Sequence, residues 1–158
     1  LGEKNKNLNF YMPYYNSKCI HYFCTFDKKY LIDSLKMTYP KIYRKIKIKK
    51  KIVKCKKYDD LSLKLKPHFI KIDTEGFDGL VLKGLKRTIK IYKPIILTEY
   101  NKQYFHKITK ILKNYKPYVY DIKFDKMKKL NIKILKSKVA RTNKNDFLSI
   151  RNIYFLPN

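Results

Sequence analysis

Phe69-Ile70-Lys71-Ile72-Asp73-Thr74-Glu75-Gly76-Phe77-Asp78 decides the reading of this chain. It follows Pro67, runs as a short apolar segment, and then turns abruptly into acids and glycine. Three of the 12 Asp+Glu fall within its last six residues, in a protein with 39 Lys+Arg and a formal net charge of +27. Phe69 to Asp73 reads as a strand. Beyond it, Phe77 to Tyr92 carries Val81, Leu85 and Ile89 at helical spacing until Pro94 ends the pattern. Asp73, Glu75 and Asp78 therefore stand at the carboxyl end of a strand, where open α/β sheets bind their ligands.

The segments downstream extend the same rhythm. Pro94 to Glu99 has a continuous apolar centre, which predicts a strand buried on both faces with Glu99 on the same edge as Asp73. Tyr104, Ile108, Ile111 and Tyr115 line one helix face, with Phe105 and Leu112 beside them. Tyr118 to Phe124 predicts another strand. Asp146 to Leu156 predicts one or two closing strands, Phe147 to Ile150 and Ile153 to Leu156. Strand and helix in alternation predict an α/β fold with a wound sheet.

The first half fits this pattern less well. Leu8 to Met12 predicts a strand stopped by Pro13, and Lys18 to Phe26 a second one. Tyr30, Leu31 and Asp33 to Leu35 predict a short helix before Pro40. From Lys45 to Lys57 eight of thirteen residues are lysine. Ile46, Ile48 and Ile52 share one parity there, so the segment predicts a strand with one apolar and one solvated face. We read this half as an extra hairpin joined to the sheet, and residues 1–158 as a single domain without repeats or a Gly/Ser linker.

Composition narrows the function classes. A hydrophobic content of 44% in 158 residues excludes a wholly disordered chain. No run approaches the roughly 18 apolar residues of a membrane span, and no leader pattern is visible. Three cysteines without a CxxC pair, and no N-x-[ST] site, point to a reducing, cytoplasmic setting. Cys19, His21 and Cys24 invite a zinc reading, but a fourth ligand at regular spacing is missing. We therefore take them as core fillers and assign no metal ligand. The charge raises a second function class, a non-catalytic basic module that binds RNA or an anionic surface. Only Arg44, Arg87, Arg141 and Arg151 carry the guanidinium fork that reads phosphate and base edges. The lysines are spread through the chain, which argues against nucleic acid as a partner.

Taken alone, the acidic stretch has two readings. Asp73 or Thr74 could cap the following helix, with Glu75 favouring its dipole and Gly76 serving a tight turn; or the acids form an active site.

The string FIKIDTEGFDGLVLKGL, from Phe69 to Leu85, resembles the signature of the FkbM-type methyltransferases. There a strand ending Lys-Ile-Asp-x-Glu-Gly leads into a helix with Val-Leu-x-Gly. PIILTEY (Pro94 to Tyr100) resembles the family's next strand, Tyr58-Asp59-Asp60-Leu61 its short Leu-Asp-Asp element, and NIYFLPN its last strand. The resemblance is good over residues 45–158 and loose before them. Asp78 replaces a more usual Glu, and Tyr58 a more usual Leu.

The resemblance implies a Rossmann-like methyltransferase sheet, S-adenosylmethionine as cofactor, and methyl transfer to a hydroxyl of a sugar or related small molecule or glycan. A G-x-G turn for that cofactor is missing, so the expectation is the C-terminal part of such a domain, lacking its first cofactor-binding strands. An inactive truncated relative is the remaining alternative. Methyl transfer needs the acceptor aligned and its proton removed. Asp73 is expected to take that proton, with Glu75 orienting the acceptor or sharing the proton. Glu99 and Asp59 are expected to shape the acceptor pocket. Several acids on one rim would also suit a divalent cation, but spacing fixes no ligand set.

Overall fold

The computed structural model describes residues 1–63, 65–74, 76–121, 124–130 and 152–158. The expected strand Phe147 to Ile150 lies outside them, as does Glu75. The chain forms two compact units, Lys4–Lys56 and Leu1–Glu3 with Lys57–Asn158. Among the described residues there are four α-helices and eight strands, and no helix is long and apolar enough to cross a membrane.

The Lys4–Lys56 unit is an antiparallel sheet with one helix. β1 (Lys6–Tyr15) lies between β2 (Lys18–Cys19) and β3 (Lys47–Cys55). Its turn is made by Asn16 and Ser17, both at positive φ, a geometry common in hairpin loops. The strand expected over Lys18 to Phe26 is cut short at Cys19. His21–Phe23 is instead a 3-10 turn, and the chain touches β1 again only at the Tyr11–Thr25 bridge. α1 (Lys28–Thr38) starts where Asp27 Oδ1 accepts from the Tyr30 N–H at 2.9 Å. It buries Leu31 and Leu35 against Ile46, Tyr11, Ile20 and Phe23.

The single apolar face expected of β3 is not found. Ile46 is buried, but Ile52 is 64% exposed, opposite exposed Asn9. The reason is length. An 11-residue helix is about 16 Å long, while a nine-residue strand runs to roughly 30 Å. α1 therefore covers only the Ile46 to Ile48 end, and Lys49, Lys50 and Lys51 are solvated on both faces.

The second unit is a mixed α/β layer. β4 (Phe69–Ile72), β5 (Ile95–Glu99), β6 (Tyr115–Asp121), β7 (Lys126–Lys129) and β8 (Asn152–Pro157) form one sheet in the order β4-β5-β8-β6-β7. β4 and β5 run parallel; the other three pairings are antiparallel. The strand expected over Tyr118 to Phe124 is shifted to Tyr115–Asp121 and returns as the hairpin strand β7.

The single helix expected over Phe77 to Tyr92 is two, α2 (Asp78–Gly84) and α3 (Lys86–Tyr92), broken at Leu85. A Cβ on Gly84 would overlap the Gly2 carbonyl oxygen, so glycine is what lets the Leu1–Glu3 tail lie there. Lys83 pairs with Glu3 at 3.4 Å in the same place. Lys93 then takes the left-handed conformation (φ 46°) before Pro94, which ends α3.

The core joins Val81, Leu82 and Leu85 to Ile96, Ile153 and Phe155 of the sheet and to α4 (Lys102–Ile111). In the α4 region the buried stripe is Phe105, Ile108 and Leu112, while Tyr104 and Ile111 flank it. β5 is buried on one face rather than two: Ile96 and Thr98 are enclosed, and Ile95 is 37% exposed beside Phe69 at 51%. α2 and α4 cover that single face, which is why an apolar run here does not mean two-sided burial.

Candidate active site

The parallel pairing of β4 and β5 sets up the rim. Ile72 faces Thr98 in the register, and one residue further on stand Asp73 and Glu99, at the two carboxyl ends. The sequence placed these acids on one edge, and the structure brings them to it.

Neither Asp73 nor Thr74 caps α2. Its N-cap is Phe77, with no side-chain cap bond. The Asp73 carboxylate is about half exposed and pairs with Lys71 at 3.1 Å. Thr74 is used differently: its N–H and hydroxyl both donate to Asp78 Oδ1, at 3.1 and 2.5 Å. The Glu99 backbone N–H donates to the same carboxylate. Asp78, on the first turn of α2 and only 4% exposed, thus ties the end of β4 to the end of β5.

Burial pushes the Asp78 carboxyl above the usual range against the pull of the Thr74 hydroxyl and amide, and the Asp73 charge adds to the rise. Two acids five residues apart therefore meet opposite environments, one wet and one enclosed. The sequence counts Asp78 among the three acids at the strand end and marks it as a departure from Glu, but gives it no role of its own. The usable signal was a Thr four residues before an Asp at a strand-to-helix turn, the spacing at which one carboxylate can accept both Thr donors.

The turn between strand and helix is closed by the Phe77 N–H on the Thr74 carbonyl at 3.2 Å. Gly76, third in that turn, has φ +92°, and a Cβ there would press on the Tyr104 ring at 2.9 Å. Glycine is required twice over, by the backbone and by the ring packed on it.

Asp59 is not part of this rim. It lies in the 3-10 turn Tyr58–Asp60 and is 5% exposed. Its Oδ2 accepts from the Arg87 N–H at 2.7 Å, and its Oδ1 from the Thr88 N–H at 3.0 Å and hydroxyl at 2.7 Å. The Arg87 guanidinium also donates to the Asp59 carbonyl. Asp59 is therefore the missing N-terminal acceptor of α3, delivered from another segment. Burial alone would raise its pKa, but the donors of Arg87 and Thr88 outweigh it and hold the carboxyl below the usual range. α3 begins where α2 ends, so the cap stands about 10 Å along α2 from the rim.

A cleft of about 330 Å³ opens in the Lys4–Lys56 unit, lined by Asn5, Lys6, Asn7, Lys54, Cys55 and Lys56. It offers amides and ammonium groups but no carboxylate to take a proton.

The glycines test whether the rim can cradle an adenosyl cofactor. Gly76 is closed by Tyr104 and Gly84 by Gly2, while the place of a Cβ on Gly79 lies 3.9 Å from Ile111. Among the described residues Gly76 and Gly84 are taken up by packing within the chain and form no cradle for a cofactor, while a Cβ on Gly79 would make only an ordinary contact.

The site is therefore an α/β layer with two exposed acids, Asp73 and Glu99, at adjacent parallel strand ends and the buried Asp78 on α2 between them. The Methyltransferase FkbM domain matches residues 4–120, well over half of the chain, and the chain belongs to that family. The match takes in residues 4–40, which the resemblance of motifs covered only loosely, and ends at Tyr120, before the NIYFLPN segment. It supports a methyltransferase in general terms. No curated protein and no solved structure matches the chain.

Proposed function

We propose that this chain serves S-adenosylmethionine-dependent O-methylation of a sugar or related hydroxyl-bearing acceptor, and that the β4–β5 rim is its acceptor side. The observation that carries the reading is the pair Asp73 and Glu99 at neighbouring parallel strand ends, braced from beneath by Asp78. An alcohol oxygen becomes a competent nucleophile when a carboxylate within hydrogen-bond reach accepts its proton. In this reading Asp73 accepts that proton, its carboxylate held near the strand axis by Lys71. Glu99 aligns the acceptor across the rim. Glu75, outside the described residues, keeps the orienting role implied by the family motif. Asp59 serves α3, and the proposal gives it no part in the acceptor pocket.

The donor belongs to the reading through the family alone, and no step is derived through it. A Rossmann-like sheet is likewise part of the proposal; the parallel β4–β5 pair joined through α2 and α3 supports it. The test is methyl transfer with labelled donor against a panel of sugars and polyols, with product identified by mass. A methyl ether formed by wild-type protein and lost in Asp73→Asn is the expected result. Label appearing on an amine or carboxylate, or an Asp73→Asn variant with unchanged kcat, would overturn the assignment.

A further inference from the structure

Cys19, His21 and Cys24 come together at the end of the β1–β2 hairpin. The two sulfurs are 3.7 Å apart, and one ligand atom from each of the three residues lies within 4.8 Å of the others. We propose that these residues form a zinc(II) site with two thiolates and one imidazole, its fourth position open to solvent. This is independent of the methyl-transfer reading, and it replaces the view of the cysteines as core fillers: both are only partly buried, and His21 is exposed.

Geometry carries the inference. Zinc–sulfur bonds of about 2.3 Å at a tetrahedral angle place two sulfurs about 3.8 Å apart, which is the spacing already present. The imidazole needs to close by at most about 1.2 Å to reach the corresponding nitrogen–sulfur distance of roughly 3.6 Å, and an exposed side chain can make that turn.

The backbone holding the ligands is fixed at both ends. The Ile20 N–H donates to the Pro13 carbonyl at 2.9 Å, and Tyr11 and Thr25 exchange two bonds at 2.8 and 3.1 Å. Between these clamps, the Phe23 and Cys24 N–H groups close the 3-10 turn on Ile20 and His21. Little chain entropy is left to lose when an ion arrives. Tyr14, the cross-strand partner of Cys19, hydrogen-bonds to its sulfur and so helps to orient it.

Donor type selects the metal. Two sulfurs and an imidazole nitrogen suit zinc, and no carboxylate or carbonyl is needed. On binding, two S–Zn bonds and one N–Zn bond form, and both thiol protons leave to solvent. The resulting site carries no net charge, so the surrounding lysines, among them Lys49 with its ammonium 4.5 Å from the Tyr14 ring centre, do not repel it.

The test is cobalt(II) titration of the intact protein under a phosphine reductant. Expected is a thiolate-to-cobalt charge-transfer band and strong visible bands of a tetrahedral ion, saturating at one equivalent and displaced by zinc. Cys19→Ser and Cys24→Ser should each weaken binding at least 100-fold. His21→Gln should weaken it at least tenfold while keeping the charge-transfer band. Cys55→Ala, away from the cluster, should bind as wild type. Because a variant can misfold, X-ray absorption of the wild-type zinc form supplies a second readout: two sulfurs at about 2.3 Å and one imidazole. An all-nitrogen/oxygen shell, no cobalt–thiolate band, or bands that survive Cys19→Ser or Cys24→Ser would each overturn the proposal.

Discussion

Asp59→Asn separates a structural acid from a catalytic one. In the folded chain Oδ1 serves the Thr88 N–H and hydroxyl and Oδ2 serves the Arg87 N–H. Asparagine can keep the first pair, but it turns Oδ2 into an NH2 that faces the Arg87 N–H. One charge-assisted bond worth about 1.5–3 kcal/mol is lost, together with about 0.3–1 kcal/mol of charge at the helix N-terminus. The expected destabilisation is about 2–4 kcal/mol, or roughly 5–15 °C in Tm for a chain of this size.

The sign with pH follows from the depressed pKa. Ionised Asp59 stabilises the fold fully above the unfolded carboxylate value of about 3.9, and that contribution disappears as pH falls through the lower folded value. Urea unfolding followed by circular dichroism, at pH 7 and in acid, reads both quantities. The gap between wild type and Asp59→Asn should be wide at pH 7 and should narrow on acidification. A gap below about 0.5 kcal/mol at pH 7, or one that does not shrink in acid, refutes the capping argument. Methyl transfer per folded molecule should stay at the wild-type level.

Asp73→Asn should show the reverse profile. It pairs with half-exposed Lys71, and such a pair is worth about 0–1 kcal/mol. Tm should barely move while kcat falls by the roughly 10²–10⁴-fold typical of a lost general base. Asp78 should give a pH slope opposite to that of Asp59. Its folded pKa is raised, so between the ordinary carboxylate range and that higher value the folded state holds a proton the unfolded state has released. Stability then falls as pH rises through that window, and the slope should be missing in Asp78→Asn melts. Gly76→Ala, with φ +92° and the Tyr104 ring in the way, should cost about 1–3 kcal/mol. Adding Tyr104→Ala should relieve the ring contact but not the backbone strain, so chemical denaturation of the double variant should show little recovery.

The rim was legible because its signals are local. A strand, a glycine turn and a helix follow one another from Phe69 to Tyr92, and period and turn chemistry mark each of them. What escaped depended on distant partners. Nothing near Asp59 says that its acceptors will be taken by Arg87 and Thr88, so it read as a pocket acid. The break at Leu85 follows from that same cap and from the tail at Gly84, while the apolar periodicity runs straight through it. Ile95 looked like the inside of a two-sided strand because composition does not tell which face of a sheet the helices will cover. Ile52 failed for a related reason: alternation says which side chains share a face, and only the length of α1 says how far that face is covered.

The Lys4–Lys56 unit also has a topological consequence. Both its ends meet, since Lys6 at the start of β1 is the register partner of Cys55 at the end of β3. It interrupts the other unit between Glu3 and Lys57 as a module with a single stem. Once β1 and β3 zip together, a loop of roughly fifty residues is closed, an entropy cost on the order of 3 kcal/mol met by the module's own ladder. The unit's own ladder thus fixes where the chain leaves it, because Lys6 and Cys55 are held opposite each other whatever lies between them.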